Sequence, residues 1–106
     1  MSRSKIRIQA AASFRIDEIY RYTLNKHGSV QAEKYIRELF NSFEKISDKT
    51  VFSRPIPADF GVQGFYYRYE HHFVYWKYLD NGEIGIATIL HERMHHIEHF
   101  EYDIKT

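Results

Sequence analysis

The spacing of apolar side chains changes from a helical period to a strand period about halfway along the chain. Apolar residues recur every three or four positions, as on one face of an α-helix, at Ala32, Tyr35, Ile36, Leu39, Phe43 and Ile46. A stripe of the same kind precedes it at Ala12, Ile16, Ile19, Tyr20 and Thr23. Gly28 separates the two stripes, and Ser29 is a suitable N-cap. The pattern predicts an antiparallel pair of helices, the first over about residues 10–27.

Segments rich in aromatic and β-branched residues follow, and they are typical of strands. Strands are predicted over residues 65–69, 73–79 and 84–90, and the alternating segment 5–9 predicts a first strand. Asp80-Asn81-Gly82 predicts a tight hairpin turn with positive φ at both Asn81 and Gly82.

The predicted fold is therefore an α+β domain with the order β-α-α-β-β-β. A helical hairpin packs on one face of a small, mostly antiparallel sheet. The other face is expected to be partly open and available to a partner. At 106 residues the chain has room for a single domain, 1–106, in which 101–106 form a short C-terminal tail.

Composition excludes several classes of protein. With 43% hydrophobic and 17% aromatic residues, the chain is not intrinsically disordered. Cysteine is absent, which excludes disulfides and thiolate chemistry and is compatible with a cytoplasmic location. No apolar run approaches the roughly 18 residues of a membrane helix, so no membrane partner is expected.

The net charge of +1 does not favour general nucleic-acid binding, but the charge is distributed unevenly. Residues 1–50 contain ten Lys and Arg against six Asp and Glu, whereas residues 51–106 contain five against eight. The basic first half can attract an acidic segment of a partner at short range.

Residues 91–95 spell His-Glu-Arg-Met-His, the H-E-x-x-H signature of zinc metalloproteases. That chemistry needs His91 and His95 on one face of a helix, and here the motif directly follows a predicted strand. In an extended chain the two histidines are roughly 13 Å apart, too far to share a metal bonded at about 2.1 Å. We therefore predict no metal site.

A second set of residues has the chemistry of a metal-independent ribonuclease, which needs a base, an acid and a cation that binds the phosphate. Residues of suitable type are Arg68, His91, Glu92, Arg93, Tyr102 and Lys105. Their spacing alone does not bring any two of them together.

Four segments resemble the ParE branch of the RelE/ParE toxin superfamily, and the similarity extends from Ile6 to Phe100. They are residues 16–23, 28–36, 53–55 (Ser-Arg-Pro, usually Gly-Arg-Pro in the family) and 89–94. The last of these, Ile-Leu-His-Glu-Arg-Met, matches a closing Ile-Leu-His-x-Arg-Met motif and is the most specific. Arg15 differs from the family, which usually has an acidic residue at this position.

The resemblance implies the toxin of a two-gene toxin–antitoxin module that inhibits DNA gyrase by protein–protein binding, without catalysis or a cofactor. It implies a ParD-like antitoxin whose acidic C-terminal segment wraps the toxin, and contact with DNA only through that antitoxin. His91, Arg93 and Met94 are the target-binding candidates. Alternatively, Met94 is an ordinary core residue, and Arg93 pairs with Glu83 or Glu92.

The sequence is also compatible with two other functions. In a RelE-like, ribosome-dependent mRNA endonuclease, His91 or Glu92 is the base, and Arg68 or Arg93 binds the phosphate. The net acidic second half of the chain disfavours this function. In the other alternative, the chain is a non-toxic relative of these toxins that acts as a co-repressor through its antitoxin.

Overall fold

The computed structural model describes residues 5–100, and it confirms the predicted α+β architecture. The elements, in chain order, are β1 (Ile6–Ile8), α1 (Ala10–His27), α2 (Ser29–Ser47), β2 (Arg54–Pro55), a 3-10 turn (Ala58–Phe60), β3 (Phe65–Tyr69), β4 (His72–Tyr78), β5 (Ile84–His91) and α3 (His96–Phe100). The sequence analysis does not predict β2, the 3-10 turn or α3. The predicted tail 101–106, with Tyr102 and Lys105, lies outside the described residues.

The five strands form one sheet in the order β1-β5-β4-β3-β2. β1 runs parallel to β5, with Ile6 opposite Ile84, and every other pair is antiparallel. The parallel pair is possible because the helical hairpin forms the long crossover that parallel strands need. The sheet is therefore mostly antiparallel, as predicted.

The two long helices meet at Gly28, which has a φ of 88°. Its backbone N–H donates to the carbonyl of Leu24 and so ends α1. The predicted N-cap role of Ser29 is wrong: Gly28 occupies the cap position, and Ser29 is the first residue of α2. Because the chain reverses within the glycine itself, Ser29 already has helical backbone geometry.

The β4–β5 turn differs from its prediction at one residue. Only Gly82 has a positive φ, of 85°, whereas Asn81 does not. The backbone of Leu79 bonds to both Gly82 and Glu83, which closes a three-residue loop. In such a loop only the last residue needs the left-handed conformation.

The main core lies between the helical hairpin and one face of the sheet. Its best-buried members are Ala12 of α1, Leu39 of α2, Val74 of β4 and Ile86 of β5, each with 0% exposure. The predicted stripes of both helices face this core. Among residues 5–100, α1 and α2 are too polar and α3 is too short to span a lipid bilayer.

The other face of the sheet is more covered than the sequence analysis predicts. The 3-10 turn and α3 pack over it, and Phe100 of α3 is only 1% exposed. The Phe100 ring makes edge-to-face contacts with Tyr75 and Phe60, with ring centroids 4.9 and 5.4 Å away. The last part of the described chain is therefore an integral element of the fold.

We expect Phe100→Ala to lower the free energy of unfolding by about 3 kcal/mol, because it removes a buried ring and leaves a cavity. The matched control is Ile97→Ala in the same helix, where the side chain is 40% exposed and the expected loss is below about 1 kcal/mol. Urea unfolding followed by fluorescence of the single tryptophan, Trp76, measures both. Equal losses for the two variants would contradict the packing of α3 described here.

Candidate functional site

A groove of about 800 Å³ lies between the helical hairpin and the end of the sheet where β5 stops. α1 and α2 contribute one wall, including Ile19, Tyr22 and Tyr35, and the β3–β4 turn and the end of β5 contribute the other. We call this site the histidine groove, because His71, His72 and His91 line it together. It is mixed in character, with aromatic and aliphatic surface beside charged groups.

All three predicted target-binding residues line the histidine groove. His91 is the last residue of β5, and the next residues turn away from the sheet. Met94 lines the groove and is also partly buried against the hydrophobic cluster on the other face of the sheet, which we call the second-face core (Ile56, Tyr75, Ala87, Leu90 and Phe100). Arg93 is exposed and forms no ion pair with any residue between 5 and 100, so neither predicted pairing, with Glu83 or with Glu92, is present.

The other ribonuclease candidates are held in a separate network beside the groove. Arg68 donates to the Glu92 carboxylate at 2.5 Å, and His71 Nδ1 lies 2.8 Å from the second oxygen of the same carboxylate. Arg68 also donates from Nε to the carbonyl of Glu70. The hydrogen bond from His71, and the charges of Arg68 and the histidines, lower the pKa of Glu92. Glu92 is therefore a stabilised carboxylate and a poor proton acceptor.

The turn that follows β5 orients the ring of His91. Its Nδ1 accepts a hydrogen bond from the backbone N–H of Arg93 at 3.1 Å. The neutral ring therefore has its proton on Nε2 and presents a donor, whereas a general base must present a lone pair. Among the ribonuclease candidates within residues 5–100, Glu92 is engaged by Arg68 and His71, and His91 presents a donor, so neither is a free base.

His72 lies opposite His91 in the β4–β5 ladder, and the two rings meet edge to face with centroids 5.1 Å apart. Tyr35 Oη lies 2.7 Å from His72 Nδ1. Burial, together with His91 and His71, lowers the pKa of His72 from 6.5 to about 4, so this imidazole is neutral at pH 7. The sequence analysis misses both residues, because it assigns Tyr35 to the core stripe and His72 to a turn.

One end of the groove is held by contacts with α3. Arg15 is 8% exposed and donates to Glu18 at 2.9 Å and to His99 Nδ1 at 3.3 Å. His96 Nε2 donates to the carbonyl of His91 at 2.8 Å, and Tyr75 lies 2.6 Å from His96 Nδ1. The cationic Arg15 thus connects α1 to α3.

The H-E-x-x-H segment does not have the geometry of a zincin. His91 ends a strand, residues 92–94 form a turn and a bend, and α3 starts only at His96. The side chain of His95 is 86% exposed, and it does not line the groove with His91. Within residues 5–100 no three His, Asp or Glu side chains are grouped so as to hold a metal ion.

We expect the protein to lose stability as the pH falls from 6.5 towards 4. Over this range the unfolded chain protonates His72, whereas the folded protein keeps it neutral, and burial lowers the pKa of His96 in the same direction. His72 contributes up to about 1 kcal/mol per pH unit, since part of its ring is solvated, and His96 adds to the loss in the same direction. Urea unfolding at half-unit pH intervals measures the slope.

His72→Gln should flatten this pH dependence by one group's contribution, leaving those of His96 and of carboxylates such as Glu92, whose pKa is also lowered. His95→Gln is the matched control, because its side chain is exposed, and its curve should follow that of the unchanged protein. A slope that is the same in all three proteins would show that His72 does not cause the loss.

Comparison with known protein families identifies the family to which the chain belongs. The family model for the ParE toxin of type II toxin–antitoxin systems, parDE, matches residues 6–96, which runs from β1 into the start of α3. Comparison with curated proteins gives no match. Because the family model covers nearly all of the described fold, including both helices, the sheet and the histidine groove, the chain belongs to the ParE toxin family.

Proposed function

We propose that this ParE-family toxin inhibits DNA gyrase by binding to it, without catalysing a reaction, and that a ParD-like antitoxin neutralises it. The observation that carries the proposal is the placement of Arg93. This arginine is exposed and has no ion-pair partner within residues 5–100, and it lies beside His91 and Met94 in the histidine groove. An unpaired arginine next to apolar surface is typical of the centre of a protein–protein interface.

The fixed geometry around Arg93 favours binding to a partner protein. The His91 ring accepts the Arg93 backbone N–H, and Met94 packs on the second-face core, so the turn that bears Arg93 is held at both sides. A side chain on a held turn loses less conformational entropy on binding than one on a free loop. Residues 91–94 are therefore suited to contact a large partner.

The same contacts argue against the endonuclease alternative. Glu92 is bonded to both Arg68 and His71, and His91 presents a donor. A ribonuclease would need one of these groups free to accept the proton of a 2′-hydroxyl. The arrangement supports a binding role for this end of the sheet.

The histidine groove is a suitable place for the antitoxin segment. Its volume of about 800 Å³ is within the range of ligand-binding clefts, and its wall includes Lys34 and Arg93 as unpaired cations within the described chain. A segment that folds on binding can cover such a groove together with the adjoining surface of the helical hairpin. Contact with DNA would then pass through the antitoxin.

We expect the purified protein to inhibit gyrase supercoiling and to cause cleaved DNA to accumulate, and a ParD-like antitoxin to reverse both effects. Arg93→Ala should raise the half-inhibitory concentration about tenfold, equivalent to about 1.4 kcal/mol of binding free energy. The matched control is Arg21→Ala, which removes an exposed arginine of α1 that pairs with Asp17 outside the groove. Gel analysis of plasmid topology measures all three proteins.

Full supercoiling activity at a large excess of the unchanged protein would contradict the proposal, as would equal losses for Arg93→Ala and Arg21→Ala.

Expression of the protein should arrest growth without rapid cleavage of messenger RNA. Glu92→Gln removes the charge that an endonuclease would use as a base. The growth rate of cells expressing this variant should stay within about twofold of the rate with the unchanged protein, because Glu92 bonds to Arg68 and His71 and does not line the groove. Primer extension on an abundant transcript measures cleavage. Rapid cleavage that Glu92→Gln abolishes would favour the RelE-like alternative.

A further inference from the structure

The rings of His72 and His91 each retain one polar atom that the protein does not use. His72 Nδ1 is occupied by Tyr35 Oη, and His91 Nδ1 by the backbone N–H of Arg93. Nε2 of either ring has no partner within residues 5–100, and no side-chain N or O atom buried in this part of the chain lacks a partner. Both Nε2 atoms are therefore accessible to solvent in the histidine groove.

The hydrogen bonds at Nδ1 determine what each Nε2 atom presents to a ligand. His91 must have its proton on Nε2, because Nδ1 accepts from Arg93. Tyr35 Oη lies 2.7 Å from His72 Nδ1, and when the phenol donates its proton to Nδ1, the neutral His72 ring has its own proton on Nε2. The two rings, with centroids 5.1 Å apart, both line the histidine groove.

The charges around the two rings come from every element that packs against them. The titratable and charged side chains nearby are Tyr35, Lys34 and Glu38 of α2, Arg15, Glu18 and His27 of α1, Tyr69, Glu70 and His71 of the β3–β4 hairpin, Glu92 and Arg93 after β5, and His96 and His99 of α3. Glu92 is engaged by Arg68 and His71. Among residues 5–100, Arg93 is the cation without an ion-pair partner that lies nearest in sequence to His91.

We propose that the Nε2–H groups of His72 and His91, with the guanidinium of Arg93, form a binding site for one carboxylate. This inference rests on the proposed antitoxin partner and assigns to the groove a side chain from its acidic segment. A carboxylate has two oxygens and can accept from both rings at once, and the nearby arginine makes the contact charge-assisted.

The remainder of the groove selects a protein carboxylate over a nucleic-acid backbone. Glu18, Glu38 and Glu70 also line the groove. Their negative charges repel a nucleic acid, which has a negatively charged phosphate at every nucleotide. Apolar surface from Ile19 and Met94 lies in the same groove and suits an amphipathic segment. The occupant we infer is therefore a protein segment with one acidic side chain between apolar ones.

Binding of a small apolar carboxylate tests the site directly. The full chain, labelled with ¹⁵N at histidine, is titrated at pH 7 with 3-phenylpropionate, and the imidazole ¹⁵N shifts are followed by NMR. The neutral 3-phenylpropanamide is the matched probe, and inorganic phosphate is the third arm. We expect the carboxylate to cause saturable ¹⁵N shifts at His72 and His91. The amide and phosphate should bind at least fivefold more weakly. Bound carboxylate should also raise the pKa of His72 above its value of about 4.

Three variants locate the site. His91→Phe keeps a ring but removes the donor, and should weaken carboxylate binding at least fivefold. Arg93→Gln alters only an exposed side chain, and should weaken it about threefold, which keeps the test decisive if His91→Phe does not fold. His95→Phe changes a neighbouring exposed histidine that does not line the groove, and should bind as the unchanged protein does.

Equal affinity for the amide and the carboxylate, tighter binding of phosphate, or no shift at either ring would overturn the proposal. None of these measurements involves gyrase. Failure to inhibit supercoiling, with carboxylate binding intact, would remove the proposed target and leave the site. Loss of carboxylate binding, with supercoiling inhibited, would remove the site and leave the target.

Discussion

The structure depends on β5, a strand that is buried on both of its faces. Every residue from Ile84 to Leu90 is buried, because the helical hairpin packs on one side and α3 with the 3-10 turn packs on the other. β5 also pairs with a strand at each edge, β1 and β4. A strand in this position cannot shift without exposing apolar surface on both faces, and so the end of β5 is a fixed point on which the groove is built.

A register shift in the β4–β5 ladder determines which side chains meet at that point. The ladder is irregular between Tyr75 and Trp76, and beyond this irregularity His72 pairs with His91. Without it, the alternation of side chains would bring a different residue opposite His91. The paired histidines, and the orientation that Tyr35 imposes on one of them, follow from this local feature.

Sequence periodicity predicts the elements of this fold better than it predicts the site. The limits of α1 follow from its apolar stripe and from Gly28, and the antiparallel hairpin of β4 and β5 follows from residues 80–82. α3 is missed because five residues are too few to display a helical period. The groove is missed because it needs the register shift at Tyr75, which leaves no signal in the alternation of apolar residues. As candidates for target binding, His91, Arg93 and Met94 are found only through their resemblance to a family motif.

The hydrogen bond from His96 to the carbonyl of His91 makes the two faces of the sheet interdependent. Only residues 92–95 separate β5 from α3, so a displacement of the groove's edge is transmitted along four residues to the helix that shields the opposite face. A chain shortened before His96 would therefore lose more than a terminal helix. It would uncover Tyr75 and Leu90 on the far side and, at the same time, release the turn that presents Arg93.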